Sequence, residues 1–450
     1  MEQRILFPPE VKVGDTEGFT NQNDIFERKD YGTGLINLMT VSSDPLVIAL
    51  DEQFGNGKTT FLKMLAGELR EKNHPVIFFD AFEHDYVDDP FLALAGVILS
   101  ELDNLKPSKK KKEEFKKKLF HLGKAIGGAS LKAGVKVATI GVLHGTVNDD
   151  IAAAFADASG EATDKAIKTV LEEQSKHQDI ILAFRNALEE LPMLVNDGKG
   201  DKPLIIIIDE LDRCKPLFAL QLLERIKHFF SVTNVHFLLG VNLDQLRNSV
   251  NMAYGNIDAN IYLQKFINVT THFPVSTYYD PKTANDKYID HLNNAMGVSQ
   301  ENRDIVDTYS MTLKIWAKDT NASLRTIGQI YSTLAMAFAF SGSAKYKMAP
   351  ILAGLTIMKI VQPDLYKKAK NNSLTLEEAL EFLHLYDGVS SEKDYIVKFW
   401  KYCLTPDLTE EDLDNLGIRI PFQVHIEQDR IIPYHIENII EALQLPTASS

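Results

Sequence analysis

The chain has 450 residues, 45% of them hydrophobic and 24% charged, a balance that excludes a disordered or collagen-like protein. Its length exceeds one typical domain and predicts about two or three folded units. The formal net charge of −14 excludes a surface that attracts nucleic acid throughout, because phosphate contacts need clustered Lys and Arg.

Cys214 and Cys403 are the only cysteines. Without paired spacing they support neither a disulfide framework nor a zinc site. The amino-terminal "MEQRILFPPEVKVGD" has no apolar core after a basic start, so export is not expected and a reducing cytoplasm fits best.

The first strong element is "PLVIALD", Pro45 to Asp51, a short apolar run of the kind that forms a buried parallel strand. The loop "EQFGNGKT" follows. It matches the phosphate-binding pattern G-x-x-x-x-G-K-[ST] at Gly57, Lys58 and Thr59, with Glu52 in place of the first glycine. In such a loop, backbone N–H groups at a helix amino terminus cradle phosphates, the lysine reaches the β- and γ-phosphates, and the hydroxyl ligates magnesium. Phe54, Gly55, Asn56, Gly57, Lys58, Thr59 and Thr60 are the expected cradle. Glu52 lies at the strand-to-loop turn, where its side chain is expected to face solvent. Phe61, Leu62, Leu65 and Leu69 then recur at helical spacing.

A second strand, "PVIFFDAF", spans Pro75 to Phe82, and a helix opened by proline spans Pro90 to Leu102. The alternation then breaks. Lys106 to Phe120 contains eight lysines, which reads as a solvated helix or arm, with acidic lipid headgroups or nucleic acid as the sharper alternative. The Gly- and Ala-rich stretch beyond it includes Val137 to Asn148, too short for the ~20 apolar residues of a membrane span. Residues 106–178 therefore read as a helical insertion, with peripheral membrane contact left open.

Strands resume at "PLIIIID", Pro203 to Asp209, and at "VHFLLGVN", Val235 to Asn242, with a helix from Leu217 to Phe230 between them. A further strand, "KFINVTTHFPV", is expected over Lys265 to Val275, with alternation in part of its length. Beyond Ser276 the pattern is chiefly helical, with "IPFQVHI" as a late candidate strand. The expected organisation is 1–105 and 179–275 as two parts of one parallel α/β domain, 106–178 as the insertion, and 276–450 as a mainly helical domain.

Acidic residues at the carboxyl end of a parallel strand point into the ligand crevice. Asp209 is the expected magnesium ligand beside Thr59, and Glu210 the residue that orients or deprotonates the attacking water. Asn242, ending the next strand, is placed either to sense a γ-phosphate or to start a turn. Arg213, Arg247 and Arg325 are candidates to neutralise transition-state charge; the sequence does not choose among them.

These motifs together resemble the KAP family of P-loop NTPases. "IIIIDELDRCKP" is similar to the family's acidic strand with L-D-R-C, "DAFEHDYVDDPFLAL" to its second-strand motif, and "LLGVNLDQL" to its next strand. "DIFERKDYGTGLINLM" resembles the segment before the first strand, while "YLQKFI" and "SLRTIGQI" stand where the family has closing motifs. The resemblance covers Asp24 to Ile330 around the insertion. It implies an additional-strand ATPase using ATP and Mg2+, found near phage or plasmid genes and acting as a switch in a homo-oligomer or with another protein. By analogy with related switch-like ATPases, the segment Asp24 to Tyr31, with Asp24 and Arg28 as its contacts, is expected near the adenine, and Arg325 as a second sensor. His84 and Asp85 match a family motif and are expected to make structural hydrogen bonds. A nucleotide-gated scaffold with little turnover is the alternative, favoured by Glu52.

Overall fold

The computed structural model describes residues 7–42, 44–87, 90–101, 185–186, 188–192, 202–227, 232–275, 282–296, 303–340, 347–385, 390–417 and 427–441. The insertion at 106–178 and the candidate strand Ile420 to Ile426 lie outside these residues. The chain forms two compact units. One comprises Lys12–Gln53 and Gly57–Pro274, the other Met1–Val11, Phe54–Asn56 and Val275–Ser450.

Among the described residues the first unit is built on five parallel strands: β1 Val47–Asp51, β2 Val76–Asp80, β3 Leu204–Asp209, β4 Val235–Val241 and β5 Val269–Thr271. Their order is β2-β3-β4-β1-β5. β4 therefore separates the loop-bearing strand from the acidic strand, as in an additional-strand P-loop sheet.

The four isoleucines of β3 explain why this sheet is parallel and central. Ile205 and Ile207 pack into one cluster with Ile48, Leu50 and Leu238, whereas Ile206 and Ile208 pack into another with Ala49, Phe79, Phe237 and Leu239. A strand with both faces covered has no need of alternating polar residues. Each such burial contributes about 1.5–3 kcal/mol before conformational entropy is counted.

Helix α2, Lys58–Glu71, covers the first face through Phe61, Leu62, Leu65 and Leu69. α1, Lys29–Val41, adds Leu35, Ile36 and Met39 to the same layer. The opposite face is covered by α3, Pro90–Glu101, and α4, Pro216–Ile226, with Leu94, Ile98, Phe218, Leu222 and Leu223 buried. After β4 comes α5, Leu243–Tyr254, then the short α6, Ala259–Leu263.

The strand expected over the whole of Lys265 to Val275 is reduced to β5, Val269–Thr271. Backbone N–H groups of Phe266 and Ile267 bond to Leu263, so turn geometry extends beyond α6 and delays the strand.

In the second unit the described elements are helical. α7 Ala284–Ala295, α8 Arg303–Thr320, α9 Leu324–Phe340 and α10 Ala349–Val361 lead into shorter helices. α10 is buried at every position from Ala349 to Met358, as a helix apolar on all sides must be. Among the described residues no helix is long and apolar enough to cross a membrane.

Candidate functional site

The loop after β1 is shaped by two glycines in the left-handed region, Gly55 at φ 84° and Gly57 at φ 80°, where side chains with a Cβ pay a steric cost. Gly57 caps α2 with no side-chain hydrogen bond, and the first turn of the helix has no acidic residue. The first-turn N–H groups of α2 thus offer a favourable position for an anion, with no carboxylate in that turn to compete.

Lys58, only 7% exposed, turns its ammonium back over the loop. Nζ lies 3.4 Å from the Glu52 carbonyl oxygen and 3.8 Å from Asp212 Oδ1. Burial pulls its pKa down; Asp212 is the largest opposing influence, followed by Asp209.

Asp209 ends β3, fully buried. Oδ1 accepts from the Glu210 N–H at 2.9 Å, whereas buried Oδ2 meets no donor at full hydrogen-bonding geometry. Burial pushes the carboxyl up to about 6, with the Thr59 hydroxyl and the Lys58 ammonium pulling the other way. A buried carboxylate oxygen left without a partner needs an explanation. Beside a threonine hydroxyl at a phosphate loop, it fits a hard divalent cation with oxygen ligands.

Glu210 is held at φ 57°, a left-handed conformation that is costly for a residue with a side chain and recurs at functional sites. Its carboxylate pairs with Arg213 Nη1 at 2.9 Å. The pair is local because the short turn Leu211–Arg213 brings the arginine back over the strand end. Burial raises the Glu210 carboxyl, and Arg213 opposes that rise most.

Asn242 uses its side-chain oxygen to cap α5, accepting from the N–H groups of Asp244 at 3.0 Å and Gln245 at 3.2 Å. The turn-starting role is therefore present, and the amide group is the side chain's remaining donor. Asp51 ties the end of β1 to the same helix by accepting from the Leu243 N–H at 2.8 Å. Arg247 pairs with Asp244 on the exposed side of α5.

Glu52 does not face solvent as expected. Its carboxylate accepts from the Phe273 N–H at 2.7 Å, just beyond β5. It is also the foremost charge supporting Arg28, which is buried with its guanidinium 3.4 Å from the Phe273 ring centroid and 4.5 Å from that of Phe26. Burial brings Arg28 down to about 10. Asp24 accepts from the N–H groups of Arg28 and Lys29, both at 2.9 Å, at the start of α1. Tyr31 shares a 2.8 Å hydrogen bond with Thr271.

Thr59 and Thr60 open α2, while Phe54, Gly55 and Asn56 form the crown of the loop and group with the second unit. Within that unit Gly55 packs on Arg325: a Cβ added to Gly55 would lie 2.7 Å from Arg325 Cβ. His84 bonds through Nδ1 to the Asp80 carbonyl at 2.8 Å, and Asp85 accepts from the Lys215 N–H at 3.3 Å.

Asp212 is the site residue that the motif reading passed over. Its side chain is fully out of solvent, burial raises its carboxyl, and Lys58 is the main influence in the other direction. The available signal was the third acid in "DELD", one tight turn beyond Asp209.

A family model described as the KAP family P-loop domain matches residues 30–338. No curated protein matches the chain significantly. Among solved structures, the ORC2 protein of Aeropyrum pernix in ADPNP–ADP complexes is similar at 11% identity, with a TM-score of 0.37 over 97% of this chain and 96% of that one.

Proposed function

Because the chain belongs to the KAP family of P-loop NTPases, we propose that it binds ATP with magnesium and hydrolyses it as a switch within a larger assembly. The observation that carries this reading is the buried Asp209 carboxylate, whose Oδ2 meets no donor at full hydrogen-bonding geometry and which lies beside the Thr59 hydroxyl and the Lys58 ammonium where α2 begins. Thr59 and Asp209 would hold the magnesium ion, which when bound neutralises charge between the outer phosphates. The cradle from Phe54 to Thr60 would bind the phosphates through backbone N–H groups, and Lys58 would reach the β- and γ-phosphates.

Glu210 is the group assigned to orient the attacking water and accept its proton. Arg213 holds that carboxylate in place and adds positive charge where negative charge would develop. Asn242 is assigned to water positioning or γ-phosphate sensing through its amide group, and Arg325, by family resemblance, to a second-sensor role. Asp24 and Arg28 are assigned to the base side of the nucleotide. By family resemblance the setting is cytoplasmic, in anti-phage defence or a mobile element. The partner is a second copy or another protein.

The test is ATP binding and magnesium-dependent turnover in purified protein. Glu210→Gln should keep nucleotide affinity within about threefold and abolish turnover, and Lys58→Ala should abolish binding; unchanged turnover in Glu210→Gln removes Glu210 from the mechanism. A nucleotide-gated scaffold is the second reading, favoured by the Glu210–Arg213 ion pair, which occupies the carboxylate the reaction requires. Tight ATP binding with no hydrolysis, even with a partner present, would select it.

A further inference from the structure

Asp212 has no part in the nucleotide chemistry assigned above, yet it is built into the site at a cost. Its carboxylate is fully shielded from solvent; the backbone N–H groups of Asp212 and Asn242 support it, but neither oxygen reaches a donor at full hydrogen-bonding geometry. A buried carboxylate with only this support is stabilised in its charged form by a nearby cation. That cation is the Lys58 ammonium, 3.8 Å from Oδ1 and held on its other side by the Glu52 carbonyl oxygen at 3.4 Å. Asp209 and Asp51 add negative charge around the same ammonium, and Arg213 opposes them.

We propose that Asp212 is the resident counter-anion of Lys58: it holds the ammonium while the loop is empty and competes with the incoming nucleotide phosphate for it. The proposal rests on the nucleotide-binding reading and deepens it. The fit is electrostatic and local. A phosphate entering the cradle offers Lys58 a stronger, better-oriented partner, and Asp212 gives up the ammonium without leaving its own site. On product release Asp212 recaptures it. Asp212 is thus a positioning residue acting through Lys58, and its negative charge weakens phosphate binding by a fixed factor.

Asp212→Asn preserves the shape and removes the charge. Its affinity for inorganic tripolyphosphate and for ATP should rise three- to tenfold, chiefly through slower dissociation, whereas a carboxylate that only supports the loop would on replacement weaken binding. In nucleotide-free protein, thermal unfolding of wild type, Lys58→Met, Asp212→Asn and the double variant closes a double-mutant cycle. Lys58→Met should lower the Tm by leaving Asp212 buried without its cation, and adding Asp212→Asn should recover most of that loss. If Asp212→Asn alone fails to fold, folding of the double variant supplies the same coupling. Additive Tm changes overturn the pairing, and coupled Tm changes with unchanged or weaker tripolyphosphate affinity overturn the competition. Coupled Tm changes in a wild-type protein that binds neither ATP nor tripolyphosphate uphold the pairing and overturn the nucleotide reading.

Discussion

The Glu52 carboxylate accepts the Phe273 backbone N–H at 2.7 Å, so the residue standing in place of the first loop glycine fastens the start of the loop to the chain beyond edge strand β5. Truncation would leave that N–H unpaired and take away the foremost charge supporting buried Arg28. Glu52→Ala should cost about 1–3 kcal/mol of stability, and Glu52→Gln less, since its amide oxygen still accepts. Urea unfolding reads the difference; an unchanged midpoint in Glu52→Ala would show the bond to be idle.

Arg213 is the cation in direct contact with Glu210. Arg213→Ala should leave nucleotide affinity within about twofold and lower kcat at least tenfold, because the carboxylate loses its orienting partner and the site a positive charge. Steady-state kinetics beside equilibrium binding separates the two effects. Equal losses in affinity and turnover would make Arg213 a binding residue instead.

Gly240 in β4 stands in register with Asp209 in β3. A Cβ there would lie 2.5 Å from Asp209 Oδ1 and 2.5 Å from Leu62 Cδ1. Gly240→Ala should therefore destabilise the protein by about 1–3 kcal/mol and weaken the magnesium dependence of nucleotide binding by displacing Asp209. Chemical denaturation together with a magnesium titration checks both parts. Wild-type values in both would show that the space is not needed.

His435 is buried in the second unit as a neutral ring: Nε2 accepts the Met348 N–H at 2.9 Å and Nδ1 faces the Ile431 carbonyl at 2.8 Å. Burial pushes its pKa down to about 4 from 6.5. The folded value lies below the unfolded one, so the stabilisation is fully present above about pH 6.5 and is lost as pH falls toward 4. The loss amounts to about 3 kcal/mol. Unfolding free energies measured across that window should fall in wild type and fall less steeply in His435→Gln; parallel profiles would remove His435 as the source.

The core strands and the loop were legible in the sequence because their signals are short-range. The apolar run into "GNGKTT" and the four isoleucines ending in Asp209 each carry period, boundary and chemistry within about ten residues. Strand boundaries near Lys265 were less legible, because a helix end and a strand start compete there and tertiary pairing with β1 decides between them.

By itself, then, the sequence determined a parallel α/β unit carrying a phosphate loop and an acidic strand, since local periodicity and glycine placement suffice for both. Only the tertiary structure decided what the irregular residues do. Glu52 meets Phe273 across 221 positions of chain, and Asp212 meets Lys58 because β4 is inserted between β1 and β3 and α2 lies over them. Such pairings depend on strand order and on the direction of buried side chains, and no local spacing encodes either.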